Sequence, residues 1–219
     1  MTDLAIIYAA RFENTGLDRR TEVWKVLCSD FFQKFVDPKG SVLDLACGYG
    51  EFINNIVAAK KYGLDLNPDS PLHLDGDVTF LHSPATDLSA VPDGTLDVAF
   101  TSNFLEHLPS KEVCNEVFAE VRRKLRPGGR FLIMGPNIRY VYAQYWDYYD
   151  HYLPLSHLSL AEGLLASGYQ VDSVYPKFLP YTMNNKVPAH PALVRAYLKV
   201  RPAWSSLGKQ FFVVARRPT

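Results

Sequence analysis

Val42 to Phe52 reads VLDLACGYGEF, and this stretch decides the fold: an apolar run carrying one acid, Asp44, opens into a segment with two glycines, Gly48 and Gly50. Ser41 to Leu45 has the length and composition of a short buried strand. Ile53 to Ala59 is expected to continue as a helix, so that the glycines fall in the tight connection between the two. Glycine suits that connection because it adopts backbone angles forbidden to other residues and leaves no side chain between the main chain and a ligand. Open α/β sheets bind ligands outside the carboxyl ends of their strands, beside helix N-termini. Standing alone, a GxG of this kind is equally an ordinary strand-to-helix turn.

The next segment, KYGLDLNPD at Lys61 to Asp69, reads as a second strand closed by Asp65, beside the first loop. In a nucleotide-binding α/β unit a carboxylate in that place accepts hydrogen bonds from ribose hydroxyls. The competing role for Asp65 is to cap the turn at Asn67 and Pro68. A dinucleotide fingerprint would need a third glycine where this chain has Ile53, and no GxxxxGK[ST] phosphate loop is present. Asp44 at the strand end disfavours a polyphosphate and suits a cationic amino group.

The ordered series VLDLACGYGEF, YGLDLNPD, LDVAFTSNFLEHL (Leu96 to Leu108) and LRPGGRFLIM (Leu125 to Met134) resembles the class I S-adenosylmethionine-dependent methyltransferases, in the group of small bacterial enzymes with DLGCGxG and EHL motifs. The resemblance covers about Ser41 to Pro136. It implies an α/β, doubly wound, Rossmann-like fold: a seven-stranded, mostly parallel sheet with an antiparallel last strand. It also implies S-adenosylmethionine as cofactor, with Asp44 and the loop Ala46, Cys47, Gly48 to Gly50 on its methionine part, Asp65 on its ribose and Leu66 against its adenine. Ala46 replaces the usual first glycine, a small-for-small change the site is expected to tolerate. HSPATDL at His82 to Leu88 aligns Asp87 with the adenine side but puts Pro84 where the family often has a carboxylate; backbone groups, Thr86 or Asp87 would then make that contact. Ser102, Asn103 and Phe104 would line the mouth between cofactor and acceptor.

Two histidines are candidates for the chemistry. His107, next to Glu106, either packs and caps locally or presents a polar group to the acceptor. DHYLPLSHLSLAEGLLASGY at Asp150 to Tyr169 resembles the family segment in which a histidine precedes the start of the last helix, which puts His151 in the histidine position and makes Ser156 the N-cap. Methyl transfer mainly requires the acceptor's lone pair to be held opposite sulfur, but a hydroxyl acceptor must also lose a proton, and a neutral imidazole can take it. His151 is read as that base, with Asp150 or Glu106 to orient it, or else as a loop hydrogen-bonding residue. The aromatic run YVYAQYWDYYDHY at Tyr140 to Tyr152 suits either an organic acceptor or the core.

The rest of the chain bounds the reading. At 219 residues and 47% apolar content, one compact domain is expected over 1–219, with a helical cover at 1–40, a cofactor core at 41–136 and an acceptor side at 137–219. Arg19 to Val36 has helical apolar spacing, and Tyr8 and Arg11 are candidates to lie over the cofactor. Lys plus Arg equals Asp plus Glu at 23 each, which gives no electrostatic case for nucleic acid. The three cysteines form no CxxC pair and no even framework, so a reducing cytoplasm is expected; no signal or transmembrane segment is indicated. Two more strands are expected near Tyr169 to Tyr175 and Gln210 to Ala215, and between them an insertion, 177–208, with a helix from Pro191 to Val200. That insertion reads as a lid, as the surface of a homodimer or, through Tyr181, Met183, Trp204, Lys186 and neighbouring cations, as a membrane-surface contact. The expected activity is methyl transfer from S-adenosylmethionine to a small organic acceptor, an oxygen nucleophile. The alternatives are an inactive cofactor-binding scaffold or regulatory subunit, and a nicotinamide-dependent oxidoreductase, which the missing third glycine opposes.

Overall fold

A computed structural model of the protein describes residues 17–181 and 190–219. Tyr8, Arg11, Met183 and Lys186 lie outside the described residues. Seven strands form one sheet in the order β3-β2-β1-β4-β5-β7-β6. They are β1 (Ser41–Leu45), β2 (Lys60–Leu64), β3 (Val78–Leu81), β4 (Leu96–Ser102), β5 (Leu125–Pro136), β6 (Gln170–Tyr175) and β7 (Gln210–Arg216). All adjacent pairs are parallel except those of β7, which runs antiparallel to both β5 and β6. The order steps outward from β1 in both directions, so β1 and β4 flank the switch point at which open sheets place their ligands.

Central strands buried on both faces read as continuous apolar runs, and every residue of β1 is buried. Side-chain alternation sends Leu43, Leu45, Ala99, Phe131 and Ile133 to one face, where α2 (Lys111–Lys124) and α4 (His157–Ala166) cover them. Val42, Val98, Phe100, Leu132 and Met134 go to the other, under α1 (Leu17–Asp30), a 3-10 turn at Phe32–Phe35 and α6 (Arg201–Leu207). The helix expected from Arg19 to Val36 therefore ends at Asp30 and continues only as that 3-10 turn. Phe31 sits at the break, its ring 4.3 Å from Phe178 and 5.4 Å from Phe212. Ser156 caps α4 as expected, in a reciprocal capping box with Ser159.

The helix expected from Ile53 to Ala59 is absent: residues 50–56 form a succession of turns. The reason lies in two asparagines whose side chains bond elsewhere. Asn54 donates to the His73 carbonyl at 2.8 Å and accepts from the Asp75 amide at 3.0 Å, while Asn55 donates to the Glu51 carbonyl at 2.9 Å. The described part of the insertion is a structural layer. Trp204 of α6 is buried and donates to the Tyr197 carbonyl at 2.8 Å, and the Tyr197 hydroxyl of α5 (Pro191–Lys199) donates to the Phe178 carbonyl at 2.6 Å. Among the described residues no helix is long and apolar enough to cross a membrane.

At the opposite end from the ligand edge, Asp97 ties β4 to β1. Its carboxylate accepts from the Ser41 amide at 2.8 Å, the Ser41 hydroxyl at 3.0 Å and Arg126 Nε at 2.6 Å. Burial alone would raise this carboxyl, but the Ser41 and Arg126 donors outweigh it and hold it below the usual carboxylate range. Asp97→Ala should therefore cost about 1–3 kcal/mol, measured by urea unfolding at neutral pH. Because the folded-state value is depressed, that stability is present above the unfolded carboxylate range and is lost as pH falls through the folded value. The gap between wild type and variant should narrow in acid; a gap independent of pH would refute the charge-assisted account.

Candidate functional site

The carboxyl ends of β1, β2, β4 and β5 converge on one edge of the sheet. β1 leaves the sheet through Ala46 at φ 61°, followed by Gly48 at 54° and Gly50 at 80°. The bend is pinned on both sides: the Cys47 amide donates to the Leu64 carbonyl at 2.9 Å, and the buried Thr101 hydroxyl donates to the Leu45 carbonyl at 2.8 Å. A side chain at Gly50 would strike Leu74 and Asn54 at 2.6 and 2.7 Å. At Gly48 an added Cβ would meet only Glu51, at 3.9 Å, so there the glycine serves the backbone angle and an open approach. Next to this bend β4 also ends in a left-handed residue, exposed Asn103 at φ 49°. Strained non-glycine positions at two adjacent strand ends mark this edge as the built one.

Ala46 is tolerated at a cost. An alanine held in the left-handed region pays about 1–2 kcal/mol, against roughly 0.5–1 kcal/mol of chain entropy for a glycine there. Ala46→Gly should raise unfolding stability by about 0.5–1 kcal/mol, read from a denaturant midpoint. A loss of stability would show that the Ala46 methyl makes a contact worth more than the strain.

Asp65 follows β2 and joins the two loops. Its carboxylate accepts from the Gly48 amide at 2.7 Å through one oxygen and from the Asn67 amide at 2.8 Å through the other. The turn-capping role is therefore real, and the same side chain also holds the glycine loop. A carboxylate offers about four lone-pair sites, so acceptor capacity remains on both oxygens. Leu66, half exposed, stands beside it, its carbonyl 3.1 Å from His82 Nε2.

Asp44 is buried on β1. Burial first, then the neighbouring Glu51 and Asp65, raise its carboxyl well above the usual range, while the Ile53 amide donates to it and works the other way. Arg20 Nε engages Glu51 at 2.8 Å. An accumulation of carboxyls behind a glycine loop repels polyphosphates and favours a ligand bearing positive charge. The Cys47 side chain turns inward, its thiol 4.0 Å from the Gly48 carbonyl. Its buried sulfur lies 3.2 Å from where a side chain of Gly63 would begin, and burial followed by Asp44 raises the thiol, which stays protonated. Asp87 is exposed and accepts from the Ser89 amide at 3.0 Å, with Lys124 and Arg123 nearby at the end of α2. Ser102 is half-buried at the end of β4.

A second group of side chains meets the same edge from the C-terminal half. Leu105–His107 form one 3-10 turn after β4, with Glu106 buried. The Glu106 carbonyl accepts from the amides of Tyr152 and Leu153 at 2.8 and 3.1 Å, which draws the 148–153 loop onto it. His151 is thereby buried 5.0 Å, ring to ring, from His107, 4.6 Å from Tyr145 and 4.8 Å from Tyr148. Asp150, read from sequence with Glu106 as a possible orienting group for His151, engages His107. His107 Nδ1 lies 2.9 Å from the Asp150 carbonyl and 3.1 Å from its carboxylate. Both neighbours only accept, so Nδ1 carries the proton and the lone pair of the neutral ring sits on Nε2. Burial lowers the His107 imidazole, but Asp150 and Glu106 outweigh it and raise it.

The aromatic run splits between buried and exposed positions. It forms α3 (Ile138–Tyr145), not foreseen from sequence; Tyr145 is fully buried, whereas Tyr142, Trp146, Tyr149 and Tyr152 are exposed. Buried Asn137 at the start of α3 donates to His157 Nδ1 at 2.8 Å and to the Pro176 carbonyl at 2.8 Å, which makes His157 structural.

Residues 43–133 match the family described as a methyltransferase domain. Probable methyltransferase ltbC of Aspergillus luteorubrus is 23% identical over 139 residues, 56% of this chain; the chain spans about half, 47%, of that relative's length. Among solved structures, an S-adenosylmethionine-dependent methyltransferase from Archaeoglobus fulgidus superposes with a TM-score of 0.68 at 20% identity, covering 98% of this chain and 100% of the other. A complex of the Trm112 methyltransferase activator with a methyltransferase from Haloferax volcanii superposes with a TM-score of 0.70 at 18% identity, both chains covered completely. The sheet order and these likenesses give the chain the fold of the class I S-adenosylmethionine-dependent methyltransferases, with residues 43–133 matching the methyltransferase domain family.

Proposed function

We propose that this protein transfers the methyl group of S-adenosylmethionine to a small organic acceptor through an oxygen nucleophile. The observation that carries the reading is the joint between the two halves of the edge: the Gly48–Asp65 lock on one side and the Glu106, His107, His151 group on the other. Asp44 and the loop Ala46 to Gly50 take the methionine part, whose ammonium and sulfonium charges suit the carboxyls gathered there. Asp65 takes the ribose hydroxyls, and exposed Leu66 offers an apolar face to the adenine. Ser102 and Asn103 line the passage to the acceptor. The acceptor hydroxyl then lies at the histidine pair. Its oxygen attacks the methyl carbon in line with sulfur, the O–CH3 bond forms as the S–CH3 bond breaks, and S-adenosylhomocysteine leaves as a neutral thioether. The hydroxyl proton passes to the histidine pair, His151 or His107 Nε2.

Balanced charge favours a small acceptor over nucleic acid, and three free, buried cysteines fit a chain that works in the reducing cytoplasm. Incubation with methyl-labelled S-adenosylmethionine and panels of phenols, sugars, hydroxy acids and amines tests the proposal. Label is expected on oxygen of one acceptor class. Label only on nitrogen or carbon would overturn the oxygen assignment, and tight cofactor binding with no labelled product from any extract would favour the inactive scaffold.

A further inference from the structure

Glu106, His107 and His151 come from two separate segments, yet their ligand-type atoms all lie within 4.8 Å of one another. Two imidazoles and a carboxylate converging on one point, two of the three side chains buried, are the donor set of a divalent transition-metal site with open positions for substrate. Three further features fit such a site. Asp150 holds His107 by Nδ1, the carboxylate–histidine arrangement that fixes the tautomer and leaves the lone pair on Nε2 for a metal. The Tyr145 hydroxyl, fully buried beside His151, has no hydrogen-bond partner among the described residues. It would donate to a metal-bound oxygen. His107 keeps 28% of its side chain exposed, which leaves a way in from the mouth of the site.

We infer that Glu106, His107 and His151 bind one divalent first-row cation of the Zn2+ type, which holds and ionises the acceptor oxygen. Donors on such an ion stand about 3.4 Å apart at metal–ligand distances of about 2.0–2.1 Å, so the three side chains close inward on binding. A metal-bound hydroxyl loses its proton far more readily than a free one, and the proton leaves to solvent rather than to the histidines. This inference rests on the methyltransferase reading for what the bound oxygen does, but not for whether the cation binds.

Titration of the whole, metal-stripped protein with Zn2+ by calorimetry, without cofactor or acceptor, tests it. Wild type is expected to bind one ion per chain. Glu106→Gln and His151→Ala should each weaken that binding a hundredfold or more, and Asp150→Asn, a positioning change, by about ten- to a hundredfold. His190→Ala, on an exposed helix cap, should leave it unchanged. Co2+ added to wild type supplies a readout that needs no variant: a ligand-field spectrum of low coordination number is expected. Absence of stoichiometric Zn2+ binding, an aqua-ion Co2+ spectrum, or Zn2+ affinity unchanged in both ligand variants would overturn the inference. Retained S-adenosylmethionine binding in the metal-stripped protein would leave the methyltransferase reading intact. Cation binding without S-adenosylmethionine binding would do the reverse.

Discussion

Asp65→Ala should weaken S-adenosylmethionine binding by tenfold to more than a hundredfold. The carboxylate sits at the end of β2 with one amide on each oxygen, Gly48 at 2.7 Å and Asn67 at 2.8 Å. In the proposed site it would act on the ligand twice, by accepting from the ribose and by holding the loop that cradles the methionine part. A charge-assisted hydrogen bond is worth about 1.5–3 kcal/mol, and each 1.4 kcal/mol is about tenfold in affinity. Alanine removes the ribose acceptor and orphans the Gly48 amide together. Asp65→Asn, which keeps an acceptor oxygen for one of the two amides, should lose less. Calorimetry alongside a denaturation curve separates ligand loss from loop loss, and unchanged affinity in Asp65→Ala would refute the ribose assignment.

His151→Ala should lower turnover by roughly a hundredfold or more while cofactor affinity persists. Its ring is packed among Tyr145, Tyr148 and His107, on the side of the edge supplied by the C-terminal half and away from the Gly48–Asp65 lock. The variant thus removes an acceptor-side group without touching the cradle. The expectation holds whether the imidazole takes the proton itself or helps hold a cation that ionises the hydroxyl, and the Zn2+ titration tells these apart. A retained rate would leave positioning of the acceptor as the main source of catalysis.

The cofactor edge was legible because its determinants are local. A run such as Ser41 to Leu45 announces a buried strand, and β1 has those bounds. Gly48, Gly50 and Asp65 announce themselves by residue type at a strand end. Residues 50–56 do not continue as the expected helix because Asn54 spends its side chain on His73 and Asp75, distant partners that no helical periodicity reveals.

The acceptor side was legible only in part. His107 and His151 stood out as residues, but their meeting depends on the Glu106 carbonyl capturing the amides of Tyr152 and Leu153, a contact between segments far apart in the chain. The roles of Asp150 as partner of His107 and of Tyr145 as a buried phenol near Glu106 follow from that one docking. Composition had left the aromatic run undecided between core and acceptor contact. The structure divides it, Tyr145 inward and Tyr142, Trp146, Tyr149 and Tyr152 outward, because an amphipathic helix and the loop after it present both faces.

The most direct test of the cofactor site is calorimetric titration of the purified protein with S-adenosylmethionine, S-adenosylhomocysteine and NAD in parallel. One site per chain for each sulfur nucleoside, and no binding of NAD, is the predicted result; failure of both sulfur nucleosides to bind would contradict the account.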